Sequence, residues 1–103
     1  MIYCIDIDGT ICNKITNQEY HKAKPFKEMI KKINKLYDEG NIIKMFTARG
    51  MGSGKDFQEL TYKQLVDWGV RFHILIMGKP NADLYIDDKS MLPEEFINIG
   101  GKI

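Results

Sequence analysis

Two aspartates one residue apart follow the first apolar run of the chain, in the segment Asp6-Ile7-Asp8-Gly9-Thr10. If the chain stays extended there, the alternation of side chains places both carboxylates on the same side of a strand end. One carboxylate can attack the phosphorus of a phosphate monoester and form an aspartyl-phosphate that water then hydrolyses. The other can donate a proton to the leaving group and later accept one from water. This pair therefore has the residue types that hydrolysis of a phosphate ester uses.

Two groups that can bind phosphoryl oxygens follow later apolar runs. Thr47 comes directly after the second run, and Lys79 lies shortly after the third. A hydroxyl and an ammonium can both donate hydrogen bonds to the oxygens that gain negative charge in the transition state. Their positions predict that both side chains belong to the same site as Asp6 and Asp8.

Adjacent aspartates, Asp87 and Asp88, follow a fourth apolar run. Neighbouring carboxylates repel each other unless a cation binds between them. Mg²⁺ prefers oxygen ligands, and it offsets the repulsion between an acidic site and an anionic substrate. The sequence therefore predicts that these acids supply carboxylates for a magnesium ion.

The predicted secondary structure alternates between strands and helices. Apolar runs predict strands at 2–5, 42–46, 72–77 and 84–86, with a last strand near Ile103. A helix is predicted to begin at Pro25 and to end at Gly40, and a second one carries Phe57, Leu60, Gln64, Leu65 and Trp68 on one face. A third, short helix begins at Pro93. This alternation predicts an α/β fold with a parallel sheet, in which ligands bind at the carboxyl ends of the strands.

Length and composition bound the class of protein. The 103 residues predict a single domain, 1–103, and a formal net charge of +1 provides no overall attraction to nucleic acid or to a membrane. The first residues lack the features of a secretory signal, and no apolar run is long enough to span a bilayer. Cys4 and Cys12 match no zinc or disulfide pattern, and both are expected to be inert. These features favour a cytoplasmic protein with reduced thiols.

The four motifs together resemble those of the haloacid dehalogenase superfamily of phosphohydrolases, over nearly the whole chain. The resemblance implies a three-layer, Rossmann-like parallel sheet. By resemblance Asp6 is the nucleophile, Asp8 is the general acid and base and a metal ligand through its carbonyl, and Thr47 and Lys79 bind the phosphoryl group. It also implies that Asp6 and at least one of Asp87 and Asp88 bind Mg²⁺. The second aspartate, Asp8, favours phosphate chemistry over dehalogenation.

The spacing of the motifs leaves no room for the cap domain that many superfamily members carry. About 40 residues separate Asp8 from Thr47, and about 30 separate Thr47 from Lys79, enough for loops and one helix each. Residues 10–22 resemble a small flap, so an open site is expected. The segments Thr47-Ala48-Arg49-Gly50 and Gly78-Lys79-Pro80 also resemble motifs of short bacterial phosphatases of capsule and surface-polysaccharide biosynthesis. That resemblance implies a small phosphorylated sugar or sugar-substituent intermediate as the substrate.

Arg49 and the loop after it have open interpretations. Arg49 is expected either to bind a second anionic group of the substrate or to form a surface salt bridge. The loop 50–55 is glycine-rich, and it is interpreted as a lid beside the site or as a plain linker. It does not match a nucleotide-binding loop, because Arg49 occupies the position of the first glycine and Asp56 replaces the required Ser or Thr.

Alternative functions use the same residue types. A receiver-type phospho-switch domain also uses an aspartyl-phosphate and magnesium, but receivers place their paired acids and their phosphoacceptor after different strands. A phosphatase of nucleic-acid ends or of phosphoproteins would suit an open site, although the chain lacks interleaved basic and aromatic residues. A small substrate would be enclosed if a second copy of the chain covered the site. A small phosphorylated metabolite is the expected partner, with no membrane and no nucleic acid.

Overall fold

Three of the apolar runs form a parallel sheet. The computed structural model describes residues 1–99. Within them, strands β1 (Ile2–Asp6), β2 (Ile42–Phe46) and β3 (Ile74–Ile76) lie in the order β1-β2-β3. The pairing register aligns the last residues of all three strands. The side chains that follow these strands therefore start from the same edge of the sheet, which confirms the predicted parallel α/β arrangement.

Helices form in the three predicted segments. They are α1 (Lys27–Asp38), α2 (Gln58–Asp67) and α3 (Pro93–Ile99). Helix α1 begins two residues after Pro25, because Pro25 instead forms an isolated antiparallel bridge with Cys12. Gly40 and Gly69 follow α1 and α2 with φ of 95° and 75°, a left-handed conformation that glycine adopts at low cost.

The hydrophobic core lies on one face of the sheet. Alternate residues of each strand point to this face, where Ile5, Ile43 and Met45 are buried together with the apolar side of α1. The buried residues on that side of α1 are Met29, Ile30, Ile33 and Leu36, whereas Phe26, just before the helix, is exposed. Helix α2 contributes Leu65 to the same core, so α1 and α2 cover the same face, as consecutive right-handed crossovers in one direction require.

The opposite face of the sheet is exposed among residues 1–99. Its apolar side chains include Ile2, Ile42 and Ile74, which are 62%, 42% and 47% exposed. Helix α3 does not cover this face, because its Phe96 packs on Tyr3 and on the core of the other side. The described residues therefore form two layers, where the resemblance implied three. Cys4 is also exposed, although a short apolar run such as 2–5 is typical of a buried strand.

The predicted fourth strand, 84–86, is wrong. These residues belong to no strand, and Leu84 and Ile86 are 78% and 94% exposed. Tyr85 instead donates a hydrogen bond from its hydroxyl to the carbonyl of Pro80 and packs against Lys79. These local contacts hold the segment as a loop, and a run of three apolar residues was too short to distinguish the two outcomes. The predicted last strand near Ile103 lies outside the described residues.

A flap follows β1 and is tied at its base. Ile11 and Cys12 are fully buried, and the Phe26 amide donates to the Ile11 carbonyl at 2.7 Å. The Asn13 amide donates to the carbonyl of Lys24 at 3.2 Å, and the Lys24 amide donates to Asn13 Oδ1 at 2.8 Å. Between these ties the chain has one short 3-10 turn. The flap thus has fixed ends and an irregular outer part.

No cap domain interrupts the described residues. Between Asp8 and Thr47 the chain forms the flap and α1, and between Thr47 and Lys79 it forms a loop, α2 and β3. This agrees with the spacing argument from the sequence. Within residues 1–99, none of the helices has both the length and the apolar character needed to cross a membrane.

Candidate functional site

The site begins where β1 ends and the chain makes a tight turn. Two amides of this turn donate to the Ile7 carbonyl at 3.0 and 2.9 Å. Gly9 has a φ of 82°, and a β-carbon there would lie 3.0 Å from the side chain of Lys14. The turn therefore favours glycine, and it keeps Asp6 and Asp8 at the carboxyl end of β1.

Asp6 and Lys79 form an ion pair at this edge. Asp6 Oδ2 lies 3.0 Å from Lys79 Nζ, and Asp6 Oδ1 accepts a hydrogen bond from the Ile7 amide at 2.8 Å. The Lys79 amide donates to the Thr47 carbonyl at 3.1 Å, which ties the segment after β3 to the end of β2. The structure thus brings together three of the predicted site residues.

The ammonium of Lys79 also lies over two aromatic rings. Its Nζ is 4.7 Å from the centre of the Phe46 ring and 4.0 Å from that of Tyr85. Ammonium groups are attracted to aromatic ring faces. The side chain is only 11% exposed, so its position is restricted on several sides. Lys79 therefore presents a fixed positive charge beside Asp6.

Thr47 lies at the predicted place but is buried. The residue is 1% exposed, and its amide donates to the Ile76 carbonyl at 3.0 Å. Its Oγ1 accepts a hydrogen bond from the Arg49 amide at 3.1 Å. Thr47 thus shapes the turn after β2, and its predicted contact with a phosphoryl group stays a prediction.

Arg49 lies neither in a substrate-facing position nor in a surface salt bridge, the two predicted alternatives. Its side chain is completely buried, so it is not a surface residue and does not face an open substrate site. Its Nε donates to Asp8 Oδ2 at 2.9 Å, and its Nη2 donates to Asp8 Oδ1 at 2.8 Å. The assignment of Arg49 to substrate binding is therefore wrong in this structure. The planar guanidinium matches both carboxylate oxygens, so it forms a bidentate pair with Asp8.

Helix α2 supplies the remaining partners of Arg49. Nη1 of Arg49 donates to Thr61 Oγ1 at 3.0 Å and to Gln64 Oε1 at 2.7 Å. Thr61 is fully buried. Neither residue was predicted from the sequence to be a member of the site. Gln64, a polar residue on the predicted apolar face of α2, was the signal that a buried polar partner exists.

Tyr20 covers the guanidinium from the flap. The carbon Cζ of Arg49 lies 4.5 Å from the centre of the Tyr20 ring, which also packs edge-on against Phe57 at 4.8 Å. Burial raises the pKa of the Tyr20 hydroxyl, so it stays neutral at physiological pH. Tyr20 was also not predicted as a site residue. The available signal was that Tyr20 is a single aromatic ring in a polar flap.

Asp87 and Asp88 do not join the other acids in this structure. Both are exposed, and Asp87 Oδ1 accepts a hydrogen bond from the Lys89 amide at 2.9 Å. This backbone hydrogen bond lowers the pKa of the Asp87 carboxyl. Among residues 1–99, no three His, Cys, Asp or Glu side chains are gathered closely enough to hold a metal ion. The predicted magnesium ligands therefore do not form one cluster here.

Cys12 and His73 contribute to packing and hydrogen bonding within the fold. Burial, with Asp8 nearby, raises the pKa of the Cys12 thiol to about 12, and Cys12 Sγ lies 3.5 Å from Asp8 Oδ1. His73 accepts a hydrogen bond from the Ile43 amide at its Nδ1, at 3.0 Å, and stacks on Tyr37. Cys12 therefore remains a neutral thiol, and His73 is part of the packing beside β2.

Comparison with known proteins supports the fold. The chain matches no protein-family model and no curated protein. It is similar to the crystal structure of an MCSG target protein from Vibrio cholerae, with a TM-score of 0.85 and 24% sequence identity. The similarity covers 93% of this chain and 86% of that chain. At this identity the similarity supports the shared fold alone.

Proposed function

We propose that the chain is a phosphatase of phosphate monoesters that uses Asp6 as its nucleophile, as in the haloacid dehalogenase superfamily that its motifs resemble. The main support is the contact of 3.0 Å between Asp6 Oδ2 and Lys79 Nζ at the carboxyl end of a parallel sheet. Such a pair places a carboxylate beside a cation that can bind the phosphoryl group it attacks. The residues Asp6, Asp8, Thr47 and Lys79 supply the machinery.

In the proposed reaction Asp6 forms a bond to phosphorus while the bond from phosphorus to the leaving oxygen breaks. Asp8, protonated before the step, donates that proton to the leaving oxygen and becomes a carboxylate. It later accepts a proton from the water that hydrolyses the aspartyl-phosphate. Lys79 binds the negative oxygens of the transferred group. Thr47 binds the same group only if its buried hydroxyl becomes accessible.

The charges of the site support a requirement for a divalent cation, and we propose Mg²⁺. Arg49 pairs with Asp8 and Lys79 pairs with Asp6, so each of these two cations already has a carboxylate partner before a substrate binds. A phosphate monoester carries about two negative charges at neutral pH, which leaves the occupied site strongly negative. Mg²⁺, when bound, would neutralise this excess. Asp6, the Asp8 carbonyl, Asp87 and Asp88 are its proposed ligands, although the described arrangement does not gather them.

The surroundings of Asp6 support a small substrate over a polymer. Lys79 is occupied by Asp6, and Arg49 is buried, so neither offers a free charge to a nucleic-acid backbone. The side chain of Lys14, on the flap, lies beside Gly9. We propose a small phosphorylated metabolite, with a sugar-linked phosphate of polysaccharide biosynthesis as the class that the sequence resemblance suggests. Enclosure of that substrate by a second copy of the chain is part of this proposal.

A receiver-type switch domain is disfavoured by the order of the strands. In the receiver arrangement β1 lies between β2 and β3, whereas here β2 lies between β1 and β3. The order found here occurs in one half of the Rossmann arrangement, where the ligand crevice lies beside the carboxyl end of β1. Asp6 stands at that position.

The decisive experiment replaces Asp6 by asparagine and measures inorganic phosphate released from 4-nitrophenyl phosphate. Asn keeps the oxygen that accepts from the Ile7 amide, so the fold is retained while the nucleophile is lost. We expect activity to fall by at least about a thousandfold. Asp67→Asn, an acid-to-amide change at an exposed position of α2, is the matched control and should keep full activity. Undiminished phosphate release by a folded Asp6→Asn protein would refute the proposal.

The metal requirement is tested separately with the same assay. We expect EDTA to stop phosphate release and added Mg²⁺ to restore it, because the bound substrate leaves the site with excess negative charge. Full activity of the EDTA-treated, metal-free protein would contradict the proposed cofactor without affecting the role of Asp6.

A further inference from the structure

The bidentate pair between Arg49 and Asp8 fixes a side chain that would otherwise rotate. The terminal torsion of an aspartate has a broad energy profile, so an unpaired carboxylate samples many orientations. Here both oxygens are held by two donors of one rigid guanidinium, at 2.9 and 2.8 Å. Proton transfer depends on accurate placement of the donor and acceptor. Arg49 therefore has the geometry to set the direction in which Asp8 presents its carboxyl group.

The guanidinium is itself immobilised from the side opposite Asp8. Thr61 and Gln64 of α2 each accept a hydrogen bond from Nη1, and the side chain of Arg49 has no exposed surface. Asp8 is 22% exposed and so remains accessible for a proton transfer. Helix α2, an element of the rigid core, therefore fixes the orientation of Asp8 through Arg49.

The flap completes this arrangement through Tyr20. The Tyr20 ring lies on the face of the guanidinium, and the Tyr20 carbonyl accepts a hydrogen bond from Gln64 Nε2. A ring in this position keeps water away from the ion pair, and electrostatic interactions are stronger where water is excluded. Tyr20 therefore links the position of the flap to the ordering of the ion pair between Arg49 and Asp8.

We propose that Arg49 is a positioning residue for Asp8, and that Tyr20 of the flap keeps this pair ordered by shielding it from water. The inference rests on the proposed phosphatase function. It assigns to Arg49 a role in orienting the proton-transfer group, with no contact to the substrate. It also makes the flap part of the proton-transfer machinery, in addition to its place beside the site.

The test compares two substrates that differ in their need for a proton. 4-Nitrophenyl phosphate has a good leaving group, whereas an alkyl phosphate needs protonation of its leaving oxygen. The ratio kcat/KM reports the steps up to loss of the leaving group, and the inhibition constant of inorganic phosphate reports binding. We expect Tyr20→Leu to lower kcat/KM for the alkyl phosphate by about tenfold, a part of the total effect of a general acid. The value for 4-nitrophenyl phosphate and the inhibition constant should change by less than about twofold, because neither depends on Asp8 as a proton donor.

Three further variants separate shielding from general damage. Tyr20→Phe retains the ring on Arg49 and should restore the alkyl phosphate reaction. Tyr62→Leu makes the same change at a residue of α2 that is 54% exposed and outside the site, and it should behave as the wild type. Arg49→Lys offers a single ammonium in place of the fork, so a folded Arg49→Lys protein should show the selective loss of Tyr20→Leu or a larger one.

Each other outcome overturns the inference. Equal losses on both substrates would show that Tyr20 only supports the fold, and a weaker inhibition by phosphate would show a role in binding. A Tyr20→Leu protein with wild-type values for both substrates would remove the proposed link as well. If the wild type releases no phosphate from either substrate, the proposed function has failed and this inference fails with it. An active wild type with an unselective Tyr20→Leu variant refutes the inference alone.

Discussion

Replacing Arg49 by methionine tests the buried ion pair through stability alone. The change leaves the Asp8 carboxylate, Thr61 and Gln64 without their common donor. Loss of one partner of a buried ion pair costs about 3–5 kcal/mol. Because Asp8 is 22% exposed and can gain some hydration, the lower value of about 3 kcal/mol is expected here.

Urea denaturation measures this loss directly. With a denaturant dependence of about 1.5 kcal/mol per molar, a loss of about 3 kcal/mol lowers the unfolding midpoint by about 2 M. The melting temperature should fall by about 15 °C for a domain of this size. Arg71→Met is the matched control, because Arg71 pairs with Asp38 and both side chains are more than half exposed. Exposed pairs contribute about 0–1 kcal/mol, so the control should change little.

A double-mutant cycle with Asp8→Asn separates the pair from the packing of the arginine. If the two side chains stabilise each other, Arg49→Met should cost at least about 1 kcal/mol less in the Asp8→Asn background than in the wild type. Additive effects within about 0.5 kcal/mol, or a loss below about 1 kcal/mol for Arg49→Met alone, would refute the argument.

Two further predictions concern the thiols and the glycine-rich loop. A thiol reagent at pH 8 should modify Cys4, which is exposed, and leave Cys12 unmodified. The pKa of the Cys12 thiol is raised to about 12, so almost none of the reactive thiolate is present at pH 8. Modification of two thiols in the folded protein would contradict this. Urea denaturation should show that Gly50→Ala destabilises the fold by more than Gly54→Ala. A β-carbon at Gly50 would lie 2.2 Å from the Lys55 carbonyl oxygen, whereas a β-carbon at Gly54 would have no atom within 4 Å. Both glycines have positive φ, so equal losses would show that the close contact relaxes.

The sequence was sufficient to predict the secondary structure where a periodic pattern was long. Helix α1 and strand β2 formed within two residues of the predicted bounds, since α1 has a clear apolar period and β2 is a run of five mostly apolar residues. The three-residue run at 84–86 carried no such period. It formed a loop because Tyr85 found partners close by in the chain, at Lys79 and Pro80.

The candidate site was predicted in part. The meeting of Asp6 with Lys79 followed from the rule that carboxyl ends of parallel strands share one edge. The burial of Arg49 could not be predicted from its own position, because it depends on Thr61 and Gln64 of a helix that lies later in the chain. An arginine is usually exposed, and only partners that satisfy its donors make complete burial favourable.

The tied base of the flap makes its outer part exchangeable. Contacts of Ile11 with Phe26 and of Asn13 with Lys24 close the loop below its tip. The entropy of closing such a loop changes slowly with its length, so residues 14–19 can be lengthened or replaced at little expense in stability. A library of loops grafted between these ties, with Tyr20 retained, would vary the surface that a substrate meets while the chemistry below it stays constant. Under the proposed function, substrate preference could then be engineered separately from the catalytic residues.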